Sequence, residues 1–175
     1  AMRKRVKCDA IAGWGMKPSA IAARQFAKTY KLPYIALEDG FLRSLGLGVH
    51  GHLEHSFIAD SVGIYYDASR PSELENLILE SSQLDPVALK RSQLAIEQLA
   101  HHRLSKYNAA PDCAISRLRS DDAVLVVDQT YGDISVQLGQ GSPEVFVTML
   151  ETAVKNHPGV EVLVKVHPDV LAGKK

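Results

Sequence analysis

The amino-acid sequence predicts an α/β protein built from Rossmann-like strand–helix–strand units with parallel sheets. In each of two segments, a short apolar strand precedes a helix with an apolar face, and a second strand follows. The first segment starts near Cys8 and ends at residues 38–40. The second starts at Ala123 and ends before His167. This alternation is typical of α/β folds with parallel strands.

The first unit opens with CDAIA, an apolar stretch that predicts a strand, and the glycines of GWGMK end it. Pro18 suits the first turn of a helix. One apolar face of that helix is predicted from residues near helical spacing, namely Ile21, Ala22, Gln25, Phe26 and Thr29. After Pro33, the stretch YIAL predicts a buried strand that ends at residues 38–40.

The region between the two units mixes strand and helix signals. A strand is predicted to end near Asp67, and the following helix has Ser69 or Ser72 as its N-cap and Pro71 in its first turn. A second helix is predicted over residues 86–104, approximately.

The second unit carries clearer signals. The composition of AVLVV is that of a strand. Ser142 and Pro143 predict a helix start, with Ser142 as N-cap and Pro143 at the first helical position. NHPG ends the helix, and VEVLVKV predicts the next strand. The predicted apolar stripe of the helix consists of Val145, Phe146, Met149, Leu150, Ala153 and Val154.

The loop LSKYNAAPD predicts a link between two halves, residues 1–110 and residues 111–175. Ala1 before Met2, and an end shortly after a predicted parallel strand, indicate a piece of a longer protein, because such strands are normally covered by further elements.

Composition excludes several classes of protein. Lys plus Arg and Asp plus Glu are balanced at 20 each, which argues against nucleic acid as the main partner. The chain is 46% hydrophobic and 23% charged, as in soluble globular proteins. No apolar run approaches the ~20 residues of a membrane span, and no signal peptide is visible. We therefore expect a cytoplasmic protein. Its two cysteines form neither a metal-type spacing nor a disulfide framework.

Polar residues are concentrated after the predicted strands. The carboxyl ends of parallel strands lie on one edge of a sheet, which is where open α/β sheets bind ligands. In the second unit these ends are DQTYGD and HPD, and in the first they are GWGMK and EDG. The sequence therefore predicts functional sites at these edges.

Asp133 follows the strand AVLVV by a loop that contains Gln129 and Gly132. Two interpretations remain open: a turn aspartate that caps backbone amides, or a carboxylate placed to react. Gln129 either orients a ligand or satisfies loop amides. Asp128 lies next to the strand and is the more structural of the two carboxylates.

Four further residues are candidates. His167 precedes Pro168, which restricts it to extended backbone. It either donates to a phosphate and moves protons, or is a surface loop histidine. Glu38 and Asp39 are adjacent, so one is expected to reach a site while the other caps the turn. Arg43 pairs either with Asp39, four residues before it, or with an anionic substrate or nucleotide.

Several motifs are absent. The sequence contains no G-x-x-x-x-G-K-[ST], no G-x-G-x-x-G directly after a predicted strand and no G-x-S-x-G. Nucleotide triphosphatase, dinucleotide dehydrogenase and esterase functions therefore lose support. His50, His52 and His55 form a small cluster, but their irregular spacing favours a solvated loop over a metal site. No metal is expected.

Several stretches together resemble the KpsC family, also called LipA, of capsule polysaccharide biosynthesis and export proteins. The resemblance spans nearly the entire chain in order, and it is to the N-terminal of the family's two related modules. The stretches are GWGMKPSA, LPYIALEDGFLRSLGLG, GIYYDASRPSELE, LSKYN, VLVVDQTYGDISV and VKVHPDVLAGKK.

The resemblance implies a GT-B-like retaining β-Kdo glycosyltransferase that needs no cofactor. Its donor substrate is CMP-Kdo, and its acceptor is a lipid-linked Kdo of the phosphatidylglycerol type, met at the inner membrane. The family's Q-x-x-x-D motif falls on Gln129 and Asp133, which implies Asp133 as nucleophile. Its His-Pro motif falls on His167 and Pro168, which implies contact with the CMP part. Glu38 is implied in acid/base work or acceptor positioning.

A second hypothesis is a non-catalytic α/β module that binds lipid-linked glycan or an export partner. The family module continues well beyond the strands present here, so this chain is expected to bind CMP weakly and to transfer little Kdo by itself.

Overall fold

The computed structural model divides the chain into two compact units, each with its own sheet. The described residues are 8–46, 51–108, 122–167 and 173. The first unit comprises Ala1–Tyr65 and Arg70–Pro111, and the second comprises Tyr66–Ser69 and Asp112–Lys175.

The first unit has a three-stranded sheet in the order β1-β2-β3. Strand β1 (Ile11–Trp14) pairs in parallel with β2 (Tyr34–Asp39), and helix α1 (Pro18–Tyr30) connects them. Strand β3 (Phe57–Asp60) pairs with β2 in the antiparallel direction. The predicted parallel βαβ unit is therefore present, and an antiparallel strand extends it.

Helix α1 packs on the sheet through small residues. Its buried side chains are Ala20 and Ala27. A Cβ atom at Gly13 would lie only 3.0 Å from the Cα of Ala20, so helix and strand approach closely. The predicted apolar face was wrong, because Ile21 and Phe26 are 53% and 49% exposed. The close approach selects alanines for the buried face.

The strand predicted to end near Asp67 was also wrong, because the strand of this region is β3 and ends at Asp60. Asp60 Oδ1 accepts hydrogen bonds from the amides of Val62 (2.8 Å) and Gly63 (2.7 Å). Its Oδ2 accepts from the amide of Glu73 at 3.0 Å. These bonds turn the chain out of the sheet and connect it to the next helix.

Helix α2 (Glu73–Leu79) has Ser72 as its N-cap, one of the two predicted caps, and the Ser72 hydroxyl accepts from the amide of Glu75. Pro71 precedes this cap, so its predicted place in the first turn was wrong. A short 3-10 helix (Ser81–Gln83) follows.

Helix α3 (Pro86–His101) begins at Asp85, whose side chain accepts from the amide of Ala88. No residue of this helix is buried.

Asp60 is only 3% exposed, so we expect its buried carboxylate to contribute to the stability of the fold. We expect Asp60→Ala to lower the free energy of unfolding by about 3 kcal/mol, since it leaves three backbone amides without their acceptor. Urea unfolding of the chain measures this loss. Asp60→Asn keeps one acceptor oxygen and should lose less.

The matched control is Asp85→Ala, which removes one exposed helix cap and should cost only about 1 kcal/mol. Equal losses in Asp60→Ala and Asp85→Ala would contradict the central role of the buried carboxylate.

The second unit has a two-stranded parallel sheet of β4 (Ala123–Val127) and β5 (Glu161–Lys165). Helix α4 (Ile134–Leu138) and helix α5 (Pro143–Asn156) lie between them in the sequence. The strand AVLVV and its parallel partner were predicted correctly. Helix α4 was not predicted.

Helix α5 begins as predicted, with Ser142 accepting a hydrogen bond from the amide of Val145 at 3.2 Å. Only the centre of its predicted stripe is partly buried: Phe146, Leu150 and Ala153. The flanking Val145 and Val154 are more than half exposed.

Candidate functional site

The carboxyl ends of β4 and β5 lie side by side. Val127 pairs with Lys165, and the amide of Asp128 donates to the carbonyl of Lys165 at 2.9 Å, which continues the parallel ladder beyond β4. The loop that leads to Asp133 and the residues that lead to His167 therefore leave the sheet at the same edge. This is the edge at which open α/β sheets bind ligands.

The loop after β4 has a defined shape. Asp128 Oδ1 accepts from the amide of Gln129 at 2.7 Å, so Asp128 is bound to its own loop, as expected of a structural carboxylate. Thr130 is only 5% exposed, and its carbonyl accepts from the amide of Asp133 at 3.1 Å. Gly132 closes this turn with φ at 75°, a value that favours glycine.

Asp133 is the N-cap of α4. Its Oδ1 accepts from both the amide and the hydroxyl of Ser135, each at 2.9 Å. Its Oδ2 accepts no hydrogen bond from the part of the chain that the structure describes, and the residue is exposed. The interpretation of Asp133 as a capping aspartate is therefore confirmed for Oδ1, and its reactive role stays a prediction.

Ser135 is a residue that sequence reasoning missed. The signal was present, because Asp133 before Ile134 and Gly139 after Leu138 form a helix start and stop. Helix α4 has only five residues, which is too short a stretch to show the apolar periodicity that predicts a helix.

Gln129 is exposed and His167 is half-buried, and both follow the paired ends of β4 and β5. The structure thus places Gln129, Asp133 and His167 in one unit, in segments that leave the same sheet edge. Pro168 lies outside the described residues. Whether these residues bind a nucleotide stays a prediction.

In the first unit, Glu38 and Asp39 are the last two residues of β2. Successive side chains of a strand point to opposite faces, so the two carboxylates separate as predicted. Glu38 has the parity of Tyr34, whose hydroxyl donates to the carbonyl of Ala20 in α1 at 3.3 Å. Glu38 therefore projects on the α1 side of the sheet, and Asp39 projects on the other.

Arg43 is held by acidic partners within the chain. Its Nε lies 2.8 Å from Asp39 Oδ2, and its Nη2 contacts Glu54 Oε1. The Nε contact is short but poorly aligned for a hydrogen bond, so its strength is mainly electrostatic. Nη1 donates to the hydroxyl of Ser44 at 3.1 Å. The expected ion pair with Asp39 is therefore present.

The pKa of Arg43 is raised above its ordinary value. The main cause is the side-chain interaction with the carboxylate of Asp39, and the charge of Glu54 adds to it. Burial acts in the opposite direction but does not outweigh these carboxylates. Arg43 thus stays cationic throughout the accessible pH range.

Among the described residues, no group of three or more His, Cys, Asp or Glu side chains is arranged to hold a metal ion. His50 lies outside the described residues, so the predicted histidine loop is only partly described. In the described part of the chain, no helix is both long and apolar enough to cross a membrane.

The fold and the sheet edge define an α/β protein whose candidate site residues follow the ends of parallel strands. The chain belongs to the family of capsule polysaccharide biosynthesis proteins, because the model of that family matches residues 9–175. The resemblance drawn from the sequence is thereby confirmed.

Two relatives are similar in sequence. The capsule polysaccharide modification protein LipA of Neisseria meningitidis serogroup B is 46% identical over 173 residues, which cover 97% of this chain and 25% of LipA. The lipopolysaccharide-processing protein LpsZ of Rhizobium meliloti is 37% identical over 95% of this chain and 38% of its own length. The chain thus spans about a quarter of LipA.

Two solved structures from Thermosulfurimonas dismutans are similar in fold. The KpsC beta Kdo 2,4 transferase matches with a TM-score of 0.88 and 45% identity, over 95% of this chain and 52% of that chain. The KpsC beta Kdo 2,7 transferase matches with a TM-score of 0.58 and 30% identity, over 90% and 47%. These matches confirm the predicted fold class, α/β of the GT-B-like kind, for the part that this chain covers.

Proposed function

We propose that this chain is part of a retaining β-Kdo transferase that acts in capsule polysaccharide biosynthesis. The observation that carries the proposal is the likeness to the KpsC beta Kdo 2,4 transferase, with 45% identity over 95% of the chain. The lower likeness to the 2,7 transferase favours the 2,4 linkage for the product. The proposed donor is CMP-Kdo, and the proposed acceptor is a lipid-linked Kdo at the cytoplasmic side of the inner membrane.

Retention of configuration follows from two displacements at one carbon. In the first, a carboxylate oxygen of Asp133 attacks the anomeric carbon of Kdo, and CMP leaves with the bonding electron pair. In the second, an acceptor hydroxyl attacks the same carbon and releases Asp133. The exposure of Asp133 supports the first step, since Ser135 engages only Oδ1 among the described contacts of this carboxylate.

The leaving phosphate carries charge that has to be stabilised in the transition state. We assign this task to His167 and Pro168, with Gln129 orienting the donor. The position of Gln129 and His167 at the edge shared by β4 and β5 supports this assignment.

Glu38 is proposed to accept the proton of the acceptor hydroxyl in the second displacement, or else to position the acceptor. It lies at the carboxyl end of β2, in the other unit of the chain.

The test uses a full-length protein that contains this chain, CMP-Kdo, and a synthetic lipid acceptor with a terminal Kdo. We expect release of CMP together with a β-linked Kdo product whose 2,4 linkage is assigned by NMR. Acceptor binding without CMP release would instead support a non-catalytic glycan-binding module. The 175-residue chain assayed alone is expected to transfer little Kdo.

A further inference from the structure

We infer that Arg43 is a positioning residue that fixes the end of β2, and with it Glu38, instead of binding the nucleotide donor. The inference rests on the proposed function, because Glu38 is the residue through which Arg43 acts. It reassigns the anion-binding role that the sequence suggested for this arginine.

The guanidinium group has little capacity left for a ligand. Each of its three nitrogens contacts a side chain of the first unit, namely Asp39, Ser44 or Glu54. Arg43 is only 7% exposed. A phosphate would have to displace a carboxylate partner to reach it. An arginine that binds a nucleotide directly would instead present its planar donors to the pocket.

The backbone of Arg43 joins two further segments of the first unit. Its amide donates to the carbonyl of Lys106 at 3.0 Å, and its carbonyl accepts from the amide of His55 at 2.7 Å. Side chain and backbone together therefore hold three segments: the end of β2, the approach to β3, and the segment around Lys106. These bonds fix the position of Arg43 independently of its contact with Asp39. The carboxylate of Asp39 therefore has a fixed partner.

The contact with Asp39 is transmitted to Glu38 through one peptide bond. Asp39 and Glu38 point to opposite faces of β2, and Glu38 Oε1 accepts from the amide of Asp39 at 2.9 Å. A rotation of the strand end around Asp39 would therefore move the backbone of Glu38. It would also move the amide of Asp39, which donates to the Glu38 side chain.

Charge decides what happens when Arg43 is neutralised. The cluster holds one cation and two carboxylates, and Asp39 and Glu54 have side chains that are 20% and 43% exposed. Without the cation the two carboxylates repel each other, and the more buried Asp39 has to move towards water. The end of β2 then loses its fixed geometry. We expect slower chemistry with little change in donor binding.

The experiment measures kcat and the KM for CMP-Kdo in a full-length protein that contains this chain. For Arg43→Gln we expect kcat to fall about 10–100-fold, the size expected for a misplaced catalytic group, with KM unchanged within about twofold. Arg43→Lys should recover part of kcat, since it restores the charge without the second contact. A donor-binding arginine would instead raise KM, and that result would overturn the inference.

A merely structural role is separated by the Glu38→Gln background. In that background, Arg43→Gln should change kcat by less than about threefold, because both substitutions impair the same catalytic function, that of Glu38. The inference would be overturned if the double variant lost kcat by the product of the two single losses. It would also be overturned if the loss of kcat followed the fraction of unfolded protein. If Arg43→Gln is not recovered folded, Asp39→Asn decides by the same criteria, since it removes only the contact with β2.

Glu54→Gln is the matched control: it weakens one contact of Arg43 but leaves the contact with Asp39, so kcat should fall less than in Asp39→Asn. Wild-type transfer of Kdo is measured in the same series. Its absence would count against the proposed function, whereas a raised KM in an active enzyme would count against the role of Arg43 alone.

Discussion

Replacing Asp133 by Asn or Ser is expected to lower Kdo transfer by about 10³–10⁶-fold in a full-length protein, the range seen when an enzyme loses its nucleophile. The choice of substitutions follows from the geometry. Asp133 caps α4 through Oδ1, and both Asn and Ser are good N-caps. These variants therefore keep the helix start and remove only the reactive carboxylate. Single-turnover release of CMP measures the step directly.

Asp133→Ala removes both the cap and the carboxylate. If capping were the only role of Asp133, the Asn and Ser variants would retain activity and the Ala variant alone would lose it. Asp128→Asn is the matched control, because Asp128 binds its own loop through the amide of Gln129. We expect this variant to keep transfer within about tenfold of wild type.

The second large effect is expected for Glu38→Gln, which should lower kcat by about 10²–10⁴-fold if Glu38 is the general base. The first displacement should survive in this variant, so a burst of CMP and a covalent Kdo–enzyme ester should accumulate. Mass spectrometry of the quenched reaction detects that ester. Glu75→Gln, an exposed glutamate of α2, should leave the rate unchanged.

The two roles proposed for Glu38 differ in a second measurement. At saturating acceptor, a positioning role raises the KM for the acceptor but lets the ester turn over, whereas loss of a general base leaves that KM nearly unchanged and lets the ester accumulate. Loss of the CMP burst itself would contradict both roles and assign Glu38 to the donor step.

The elements that were predicted correctly carry their own local signals. Strand β4 is apolar and rich in valine, and α5 has Ser142 and Pro143 at its start. Strand β3 was missed because its end is decided by Asp60, whose bonds to Val62, Gly63 and Glu73 depend on tertiary contacts. Composition alone does not report such contacts.

The buried face of α1 shows a related difficulty. Hydrophobicity favours Ile21 and Phe26, but the buried side chains are Ala20, which lies against Gly13, and Ala27. Large side chains therefore remained outside, and the apolar pattern pointed to the wrong face. The distance between helix and strand is a property of the folded sheet, so no residue pattern within α1 could supply it.

For the candidate site, strand direction was sufficient to bring the ends of β4 and β5 to one edge. It did not predict that Asp133 divides its two oxygens between Ser135 and a free position, because that depends on the turn from Thr130 to Asp133. Nor did it decide between the partners of Arg43, since Glu54 lies eleven residues away in an irregular loop.

The hydrogen bonds between residues 105–108 and the loop after β2, both in the first unit, determine where the chain can be cut into two halves. The amide of Asn108 donates to the carbonyl of Leu45 at 2.6 Å, and its side chain donates to the carbonyl of Ser44 at 3.2 Å. A protein cut immediately after α3 would lose these bonds together with the Lys106 acceptor of Arg43. Dissection into separately expressed halves therefore has to keep the chain through Asn108 with the N-terminal piece.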